Sequence, residues 1–384
     1  MLLHKLRYQA QSGWSLPWRD DLDSPHTLAV MFGSGTAEQM RAVAAEVRAR
    51  LPTAVLTGCS SAGEIEADHV HDGGLTVAIA RFDEVTLRQA TLPISDPYQS
   101  REVGRQLAGM LVAPGLKAVF VLSDGLHVNG SQLAAGLNSN LPAGVVVTGG
   151  LAGDGERFDT TWVVAGNDLA SRWVTAVGLY GDRLRVGHGC SAGWSPFGPE
   201  RRITAAAGNV LFELDGKPAL SLYRNYLGER AAGLPATGLL FPLSIRGDSE
   251  DAQPLIRTIL GIDEASQSLT FAGDVPEGHR ARLMRTSTER LIQSAALAAR
   301  AASAKFSGSV SPLSLAISCV GRRLVLGERS EEEIEGVLDT LPAGTRQVGF
   351  YSYGEISPAI PGGRCDLHNQ TMTVTLLDEW PVAA

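Results

Sequence analysis

One short pattern, G-x-x-S-x-G-E-I, occurs near both ends of this 384-residue chain, at residues 58–65 and 349–356. A looser third copy at 141–154 also has an apolar run followed by glycines, and it ends on an Asp instead of a Glu. A Leu-Pro pair and a short apolar run precede the first glycine in the two full copies. The repetition predicts that one supersecondary unit is used about three times.

Each copy closes a longer unit that begins with a strand pattern and a helical stretch. Apolar runs predict buried strands at 28–32, 118–122 and 313–317. The helical stretches that follow lie at 37–50, 131–140 and 331–340. A strand–helix–strand connection of this length normally joins parallel strands by a right-handed crossover. The sequence therefore predicts an α/β fold with a pseudosymmetric two-part architecture of repeated strand-helix-strand-Gly-turn units.

Other segments predict additions to these units. Alternating runs at 75–80 and 85–92 predict an antiparallel hairpin, and 161–165 with 173–180 predicts a second one. The stretch 187–199 is dense in Gly and Pro, which favours a loop, and we expect this loop to cover a ligand site.

Composition excludes several classes of function. The net charge is −8 with no run of Lys or Arg, which argues against nucleic acid as a partner. The four cysteines form no C-x-x-C pair, which favours reduced thiols. No apolar stretch reaches 18 residues, and the N-terminus lacks a signal-peptide core. We therefore expect a cytoplasmic protein that has no membrane partner.

The glycine turns are the expected location of a ligand site, because open α/β sheets bind ligands at the carboxyl ends of their strands. Glu64 and Glu355 follow equivalent turns, so they could approach one another and bind a cationic amine or act as an acid/base pair. The alternative is that each carboxylate caps a loop or pairs with a Lys or Arg. Serines in the turns do not complete a nucleophile elbow. Cys59 fits either a reactive thiol or a small residue buried in a turn.

Five motifs in this order resemble the FIST family: 58–65, 148–154, 209–219, 350–357 and 368–373. The resemblance covers nearly the whole chain and implies a lead-in at 1–24, a FIST N domain at 25–218 and a FIST C domain at 219–384. It also implies a sensory module that binds a small ligand and acts on a separate signalling protein. The residues expected to bind the ligand are Cys59, Ser60, Ser61, Glu64, Gly150, Asp154, Tyr351, Ser352, Tyr353, Glu355 and Asn369.

Some stand-alone members of that family look like haem-binding nitric oxide sensors that regulate a histidine kinase or a cyclic-di-GMP enzyme. The resemblance therefore makes haem b a possible cofactor, and haem needs an axial ligand such as His. His188 and His127 are the candidates, with a capping or turn-stabilising role as the alternative for each. Two other functions stay open: an amino-acid-like ligand sensor without haem, and a hydrolase or transferase that uses Glu64 and Glu355.

Overall fold

A computed structural model describes residues 1–249, 253–306 and 311–380. The strands of the first half are β1 (Leu2–Gln9), β2 (Gly13–Trp14), β3 (Thr27–Gly33), β4 (Val55–Ser60), β5 (Glu64–Glu66), β6 (His69–His71), β7 (Gly74–Arg81), β8 (Thr86–Pro93), β9 (Leu116–Ser123), β10 (Val146–Leu151), β11 (Val163–Ala165), β12 (Asp168–Ala170), β13 (Trp173–Tyr180) and β14 (Leu184–Ser191). The strands that follow are β15 (Ser195–Ala207), β16 (Val210–Leu214), β17 (Lys217–Pro218), β18 (Leu243–Arg246), β19 (Leu255–Arg257), β20 (Ile259–Asp263), β21 (Ser268–Phe271), β22 (Arg280–Arg285), β23 (Leu313–Cys319), β24 (Arg346–Ser352), β25 (Gly354–Pro358), β26 (Cys365–His368) and β27 (Met372–Glu379). The α-helices are α1 (Ala37–Arg50), α2 (Ser100–Leu111), α3 (Gly130–Asn140), α4 (Ala219–Leu227), α5 (Thr288–Ser303), α6 (Val320–Leu326) and α7 (Ser330–Thr340).

Three of the sheets are built around a pair of parallel strands. The pairs are β3 with β4, β9 with β10, and β23 with β24. In each sheet an antiparallel strand flanks the first member of the pair, namely β7, β13 and β27. Helices connect the members of each pair, as the repeated unit predicted. The mixed α/β class is therefore confirmed, whereas the two-part pseudosymmetry stays a prediction.

The three units exchange strands with one another. After its glycine turn the chain leaves the first unit, and β5 pairs with β24 of the third. The third unit in turn supplies β25 to β10 of the second, and the chain that leaves the second supplies β11 to β4 of the first. The sheets of the N-terminal and C-terminal parts are thus completed by each other's strands.

The fourth sheet lies between β14 and α5 in the sequence and has its own core. Its strands run in the order β19-β18-β22-β15-β16-β21-β20, and β17 pairs with β16. Residues Ile203, Leu211, Tyr223 and Leu283 are among the buried side chains that pack between this sheet and α4. The β15–β16 turn and the end of β21 lie over the carboxyl ends of β9, β10 and β23 in the second and third units.

The predicted hairpins are wrong. Strand β7 pairs with β1 and β3, whereas β8 pairs with β13 in a different sheet. Strands β11 and β13 also lie in different sheets. Alternating polarity identifies a strand with one buried face, but it carries no information about which strand lies beside it. The segment 1–24, expected as a lead-in, contributes β1 to the first sheet.

The expected loop at 187–199 is also wrong, because it is mostly strand. Residues up to 191 belong to β14, which pairs with β27, and β15 begins at 195. Gly187 and Gly189 are needed there because α5 packs closely on β14: a Cβ atom on either would lie 2.0 Å from a helix carbonyl oxygen. The glycines serve close packing of a helix on a strand, so this segment gives no lid over a ligand site.

Candidate functional site

The three glycine turns meet in the interior of the protein. We call this meeting point the turn junction and define it as residues 59–63, 151–153 and 351–353. The Gly153 amide donates to the Ser60 carbonyl at 3.1 Å, and the Ala62 amide donates to the Tyr351 carbonyl at 2.9 Å. The amide of residue 353 completes this set of backbone hydrogen bonds by donating to the carbonyl of residue 151 at 3.1 Å.

One glycine in each unit allows the two parallel strands to approach. A Cβ atom at Gly58 would lie 2.2 Å from the Met31 carbonyl oxygen, with 1.8 Å for the equivalent contact of Gly149 and 1.7 Å for that of Gly349. All three obstacles are backbone atoms of the neighbouring strand, which side-chain rotation cannot relieve. The repeated first glycine is therefore explained by strand packing.

The junction is closely packed and its side chains are buried. Cys59, Ser60 and Ser61 are at most 1% exposed, and Tyr351 and Ser352 are fully buried. Burial raises the pKa of the Cys59 thiol well above its usual range, which disfavours a reactive thiolate. These turn residues thus form a buried, hydrogen-bonded group, and their role in ligand binding stays a prediction.

Glu64 and Glu355 occupy equivalent positions with different surroundings. Burial raises the pKa of each carboxyl group to about 8. Glu355 accepts hydrogen bonds from the Ser352 hydroxyl and from the Thr371 amide and hydroxyl. The Glu64 oxygens make no hydrogen bond of normal geometry within the described residues, although the nearby Ser34 hydroxyl partly counters the rise in its pKa. The two carboxyl groups share no hydrogen-bond partner among the described residues.

Asp154, the third member of this set, organises a loop and a tyrosine. Its carboxylate accepts from the amides of Phe158, Asp159 and Thr160 at 2.9–3.0 Å and from the Tyr353 hydroxyl. Burial alone would raise the pKa of Asp154, but these donors together hold it below its usual value. The rings of Phe158 and Tyr353 stack with centroids 4.6 Å apart. The loop 154–160 is thereby fixed beside Tyr353.

Tyr353 leads from the turn junction to a cavity of about 830 Å³. The cavity lies at the carboxyl ends of β9, β10 and β23, underneath the fourth sheet. Its apolar and aromatic lining includes Tyr98, Leu126, Leu151, Phe158, Phe212, Leu260, Phe271 and Val320. Cavities of this size, mostly apolar with a few polar groups, are typical of small-molecule sites.

The polar end of the cavity is built around Asp274. Its carboxylate accepts from the Asn129 side-chain amide at 2.7 Å and from that of Gln132. Asn129 is also the N-cap of α3, so the helix start and the fourth sheet are joined here. Arg257, which is 3% exposed, donates to the Asp274 carbonyl at 3.0 Å and to the Leu367 carbonyl at 2.9 Å. Burial lowers the pKa of this guanidinium.

The sequence anticipated only a small part of this cavity. Tyr353 lines it, but the other ten residues expected to bind the ligand are absent from the described lining. The missed residues come from segments that are far apart in sequence and meet only when the fourth sheet folds over the other units. One signal was present, because Asn209 and Phe212 line the cavity and belong to the motif at 209–219.

Neither haem candidate lines the cavity. His127 lies in the loop after β9, where its ring Nδ1 is 3.1 Å from the Asp124 carboxylate. His188 lies in β14 opposite Thr375 instead of in a loop, and its buried Nδ1 makes no hydrogen bond within the described residues. Burial lowers the pKa of His188, which favours the neutral imidazole.

The cavity offers haem a poor donor set, since the possible axial ligands in its described lining are Cys319 and the hydroxyl groups of Tyr98 and Tyr353. The part of the lining that the structure describes has no His, and it has no Lys or Arg to pair with haem propionates. Its one thiol, Cys319, is kept protonated because burial and the nearby Glu355 raise its pKa. Ligation of haem by His127 or His188 stays a prediction that would need another site. Elsewhere in the described chain, no cluster of three His, Cys, Asp or Glu side chains is arranged to hold a metal ion.

The fold and cavity define a mixed α/β protein with a ligand-sized space between its sequence halves, and comparison with known proteins gives its family. Residues 27–217 match the FIST N domain and residues 219–358 match the FIST C domain, so the chain belongs to the FIST family. FIST domains are associated with the sensing of small ligands in signal transduction. None of the helices that the structure describes is long and apolar enough to span a bilayer.

Its relatives include proteins of bacteria and archaea. An uncharacterised protein of Mycobacterium tuberculosis is 26% identical over 373 residues, which cover 91% of this chain and 90% of that protein. One from Mycobacterium bovis is 29% identical over 252 residues, 62% of each chain. One from Methanocaldococcus jannaschii is 24% identical over 355 residues, 83% of this chain and 67% of the relative.

Proposed function

We propose that this protein is a sensory protein whose ligand binds in the cavity beneath the fourth sheet. The observation that supports this most directly is the position of the cavity. It lies at the carboxyl ends of parallel strands and is lined by residues from both the FIST N and the FIST C match. A ligand there would contact the fourth sheet and the strand units together, so binding would favour one arrangement of the two.

The test compares two leucine substitutions of the same kind. Leu260→Trp replaces a leucine side chain of the cavity wall, at a partly exposed position, with the larger indole ring. Leu297→Trp makes the same replacement on an exposed part of α5 outside the cavity. Small molecules that co-purify are extracted and identified by mass spectrometry. We expect a compound that is retained by the wild type and the Leu297 variant and lost from the Leu260 variant. Equal retention by both variants would place the ligand elsewhere.

The signalling output is proposed to act through a separate protein, a histidine kinase or a cyclic-di-GMP enzyme. The identified compound is added to a mixture of the wild-type protein and each purified enzyme of the source organism. We expect the activity of one enzyme to change only when both protein and compound are present. The Leu260→Trp variant is the control, because it should leave the enzyme unresponsive to the compound.

A haem-based form of this function would sense nitric oxide, with haem b held at a histidine. The feature that favours it is the Nδ1 of His188, which has no hydrogen-bond partner in the part of the chain that the structure describes. Reconstitution with haem tests it through the Soret band of the wild type, His188→Ala and His127→Ala. A stoichiometric band that only one variant loses would identify the ligand. The broad absorbance of free haem in the wild type would leave a haem-free sensor, for example of an amino-acid-like ligand.

A further inference from the structure

Among the described residues that line the cavity, one side chain carries a charge. Of the residues that the structure describes along its wall, Asp274 is the one carboxylate, and none is Lys, Arg or His. A ligand that carries a carboxylate or a phosphate would therefore lose its hydration without meeting a cation, which is strongly unfavourable in a partly buried site. A cationic ligand would meet no like charge among the described residues of this wall.

The Asp274 carboxylate has acceptor capacity left for a ligand. Its two oxygens accept one hydrogen bond each from the uncharged amides of Asn129 and Gln132, and a carboxylate offers about four acceptor positions. No salt bridge to Asp274 occurs among the described residues. Arg257 lies close enough for its charge to act on Asp274, but its N–H groups donate to carbonyl oxygens and to the Ser131 hydroxyl instead of the carboxylate.

A second polar group in the wall lacks a partner. Thr258 lines the cavity and is 4% exposed, and its hydroxyl oxygen makes no hydrogen bond within the described chain. Its carbonyl accepts from the Ala272 amide, which places it beside the strand end that carries Asp274. Buried hydroxyl groups in folded proteins usually have a partner, so this one points to a ligand with a hydrogen-bonding group near Asp274.

The rest of the wall is rich in aromatic rings. Five aromatic residues line the cavity: Tyr98, Phe158, Phe212, Phe271 and Tyr353. The faces of such rings attract ammonium groups, and aromatic walls are a common way for proteins to bind organic cations. The rings also supply apolar surface for the uncharged part of a ligand.

We propose that the ligand of this cavity is an organic ammonium compound with an apolar or aromatic body. Its ammonium group donates to Asp274, a second polar group or N–H reaches Thr258, and its body lies among the aromatic rings. This assignment rests on the proposed function, because it names the ligand class of the same cavity. It separates a simple amine from an amino acid, whose carboxylate would find no cation in the wall.

The first experiment uses four probes with the same phenyl body. Phenethylamine is a cation, phenethyl alcohol is neutral, 3-phenylpropionate is an anion and phenylalanine is a zwitterion. Binding to the full-length protein is measured by isothermal titration calorimetry at neutral pH. We expect the amine to bind more tightly than the alcohol, by about tenfold or more, and the propionate and the amino acid to bind more weakly than the alcohol. Equal or tighter binding of the propionate would overturn the assignment, and so would no binding of the amine at millimolar concentration.

The second experiment assigns the preference to Asp274. Asp274→Asn removes the charge and keeps the shape, and Asp263→Asn makes the same change at an exposed turn of the fourth sheet. We expect the first variant to lose the advantage of amine over alcohol and the second to keep it. Unchanged amine affinity in Asp274→Asn would overturn the assignment.

Phe212→Leu provides a check that does not alter the polar network. It keeps an apolar side chain in the wall but removes an aromatic face, so amine affinity should fall more than alcohol affinity. An equal fall for both probes would count against the role of the rings.

If the amine preference fails while Leu260→Trp still loses a co-purified compound, the proposed function stands and only the ligand class is wrong. If both fail, the cavity is not the sensory site.

Discussion

At the scale of single residues, one sequence position produces three electrostatic environments. Within the described residues, Glu64 is buried with no normal hydrogen bond, Glu355 accepts three, and Asp154 accepts four. The pKa of each glutamate rises to about 8, whereas that of Asp154 is lowered. The glutamates are therefore largely protonated at pH 7 and Asp154 is ionised. The hypothesis that Glu64 and Glu355 bind an amine requires ionised carboxylates. A protonated, buried glutamate is poorly suited to hold an amine.

Glu64→Gln should flatten the pH dependence of stability. The pKa of Glu64 is about 8 in the folded state and about 4.3 in an unfolded chain, so the folded state holds an extra proton between these values. Stability from this group is fully present below about pH 4 and is lost as pH rises through 8. Removing it should reduce the loss by up to about 1.4 kcal/mol per pH unit. Urea unfolding between pH 5 and 8 measures the change in slope.

The matched control for that prediction is Glu335→Gln on an exposed face of α7. This variant should leave the slope of stability against pH as it is in the wild type. A Glu64→Gln variant with the wild-type slope would show that Glu64 is already ionised when buried, in conflict with its surroundings.

At the scale of elements, the close packing of helix α5 on strand β14 depends on glycine. Gly189→Ala should destabilise the protein by about 1–3 kcal/mol, because its Cβ would lie 2.0 Å from the Ala298 carbonyl oxygen and the backbone cannot turn away. Gly261→Ala in β20 is the control, since the nearest atom to its Cβ would be 3.8 Å away. Denaturant midpoints of the two variants measure the difference. Equal midpoints would mean that α5 is free to move away from β14.

The loop 154–160 is an element whose order depends on Tyr353. Tyr353→Phe keeps the ring that stacks on Phe158 but removes a hydroxyl that donates to Asp154. Hydrogen bonds to charged groups contribute about 1.5–3 kcal/mol, so amide exchange at 155–160 should become faster. Tyr98→Phe makes the same change at a side chain that is 95% exposed and should leave exchange in this loop unaltered. Wild-type exchange rates in the Tyr353 variant would mean that the loop is held by its backbone contacts alone.

The elements themselves were largely predictable from the sequence, whereas their partners were not. Helix α1 begins and ends where its pattern predicted, and a capping box at Thr36 and Gln39 fixes its start. Local patterns reflect local burial and capping, so they define elements well. They could not show that β7 and β8 enter different sheets, or that the cavity forms where the fourth sheet covers two other units. Of the cavity lining, the sequence singled out Tyr353 alone among the expected ligand-binding residues.

At the scale of the whole molecule, the two FIST matches do not correspond to two separable bodies. The boundary at 218/219 falls inside the fourth sheet, between β17 and α4. Five strand pairings of the described chain cross it: β5 with β24, β10 with β25, β14 with β27, β15 with β22, and β16 with β21. The cavity crosses it too, since its lining comes from both sides. A signal that begins in the cavity can therefore reach both matches through shared sheets.

This interlocking predicts that fragments 1–218 and 219–384 will not fold alone but will fold together. Each fragment by itself would leave open strand edges and apolar sheet faces that its partner normally covers, which favours aggregation over a unique structure. Near-ultraviolet circular dichroism and urea unfolding of each fragment should show no cooperative transition, and co-expression should restore one close to that of the intact chain. The intact protein cleaved by protease near residue 218 is the control, because it tests the same break after folding. A cooperative transition from fragment 1–218 alone would show that the exchanged strands are dispensable, and the cavity would then be a space between two independent domains.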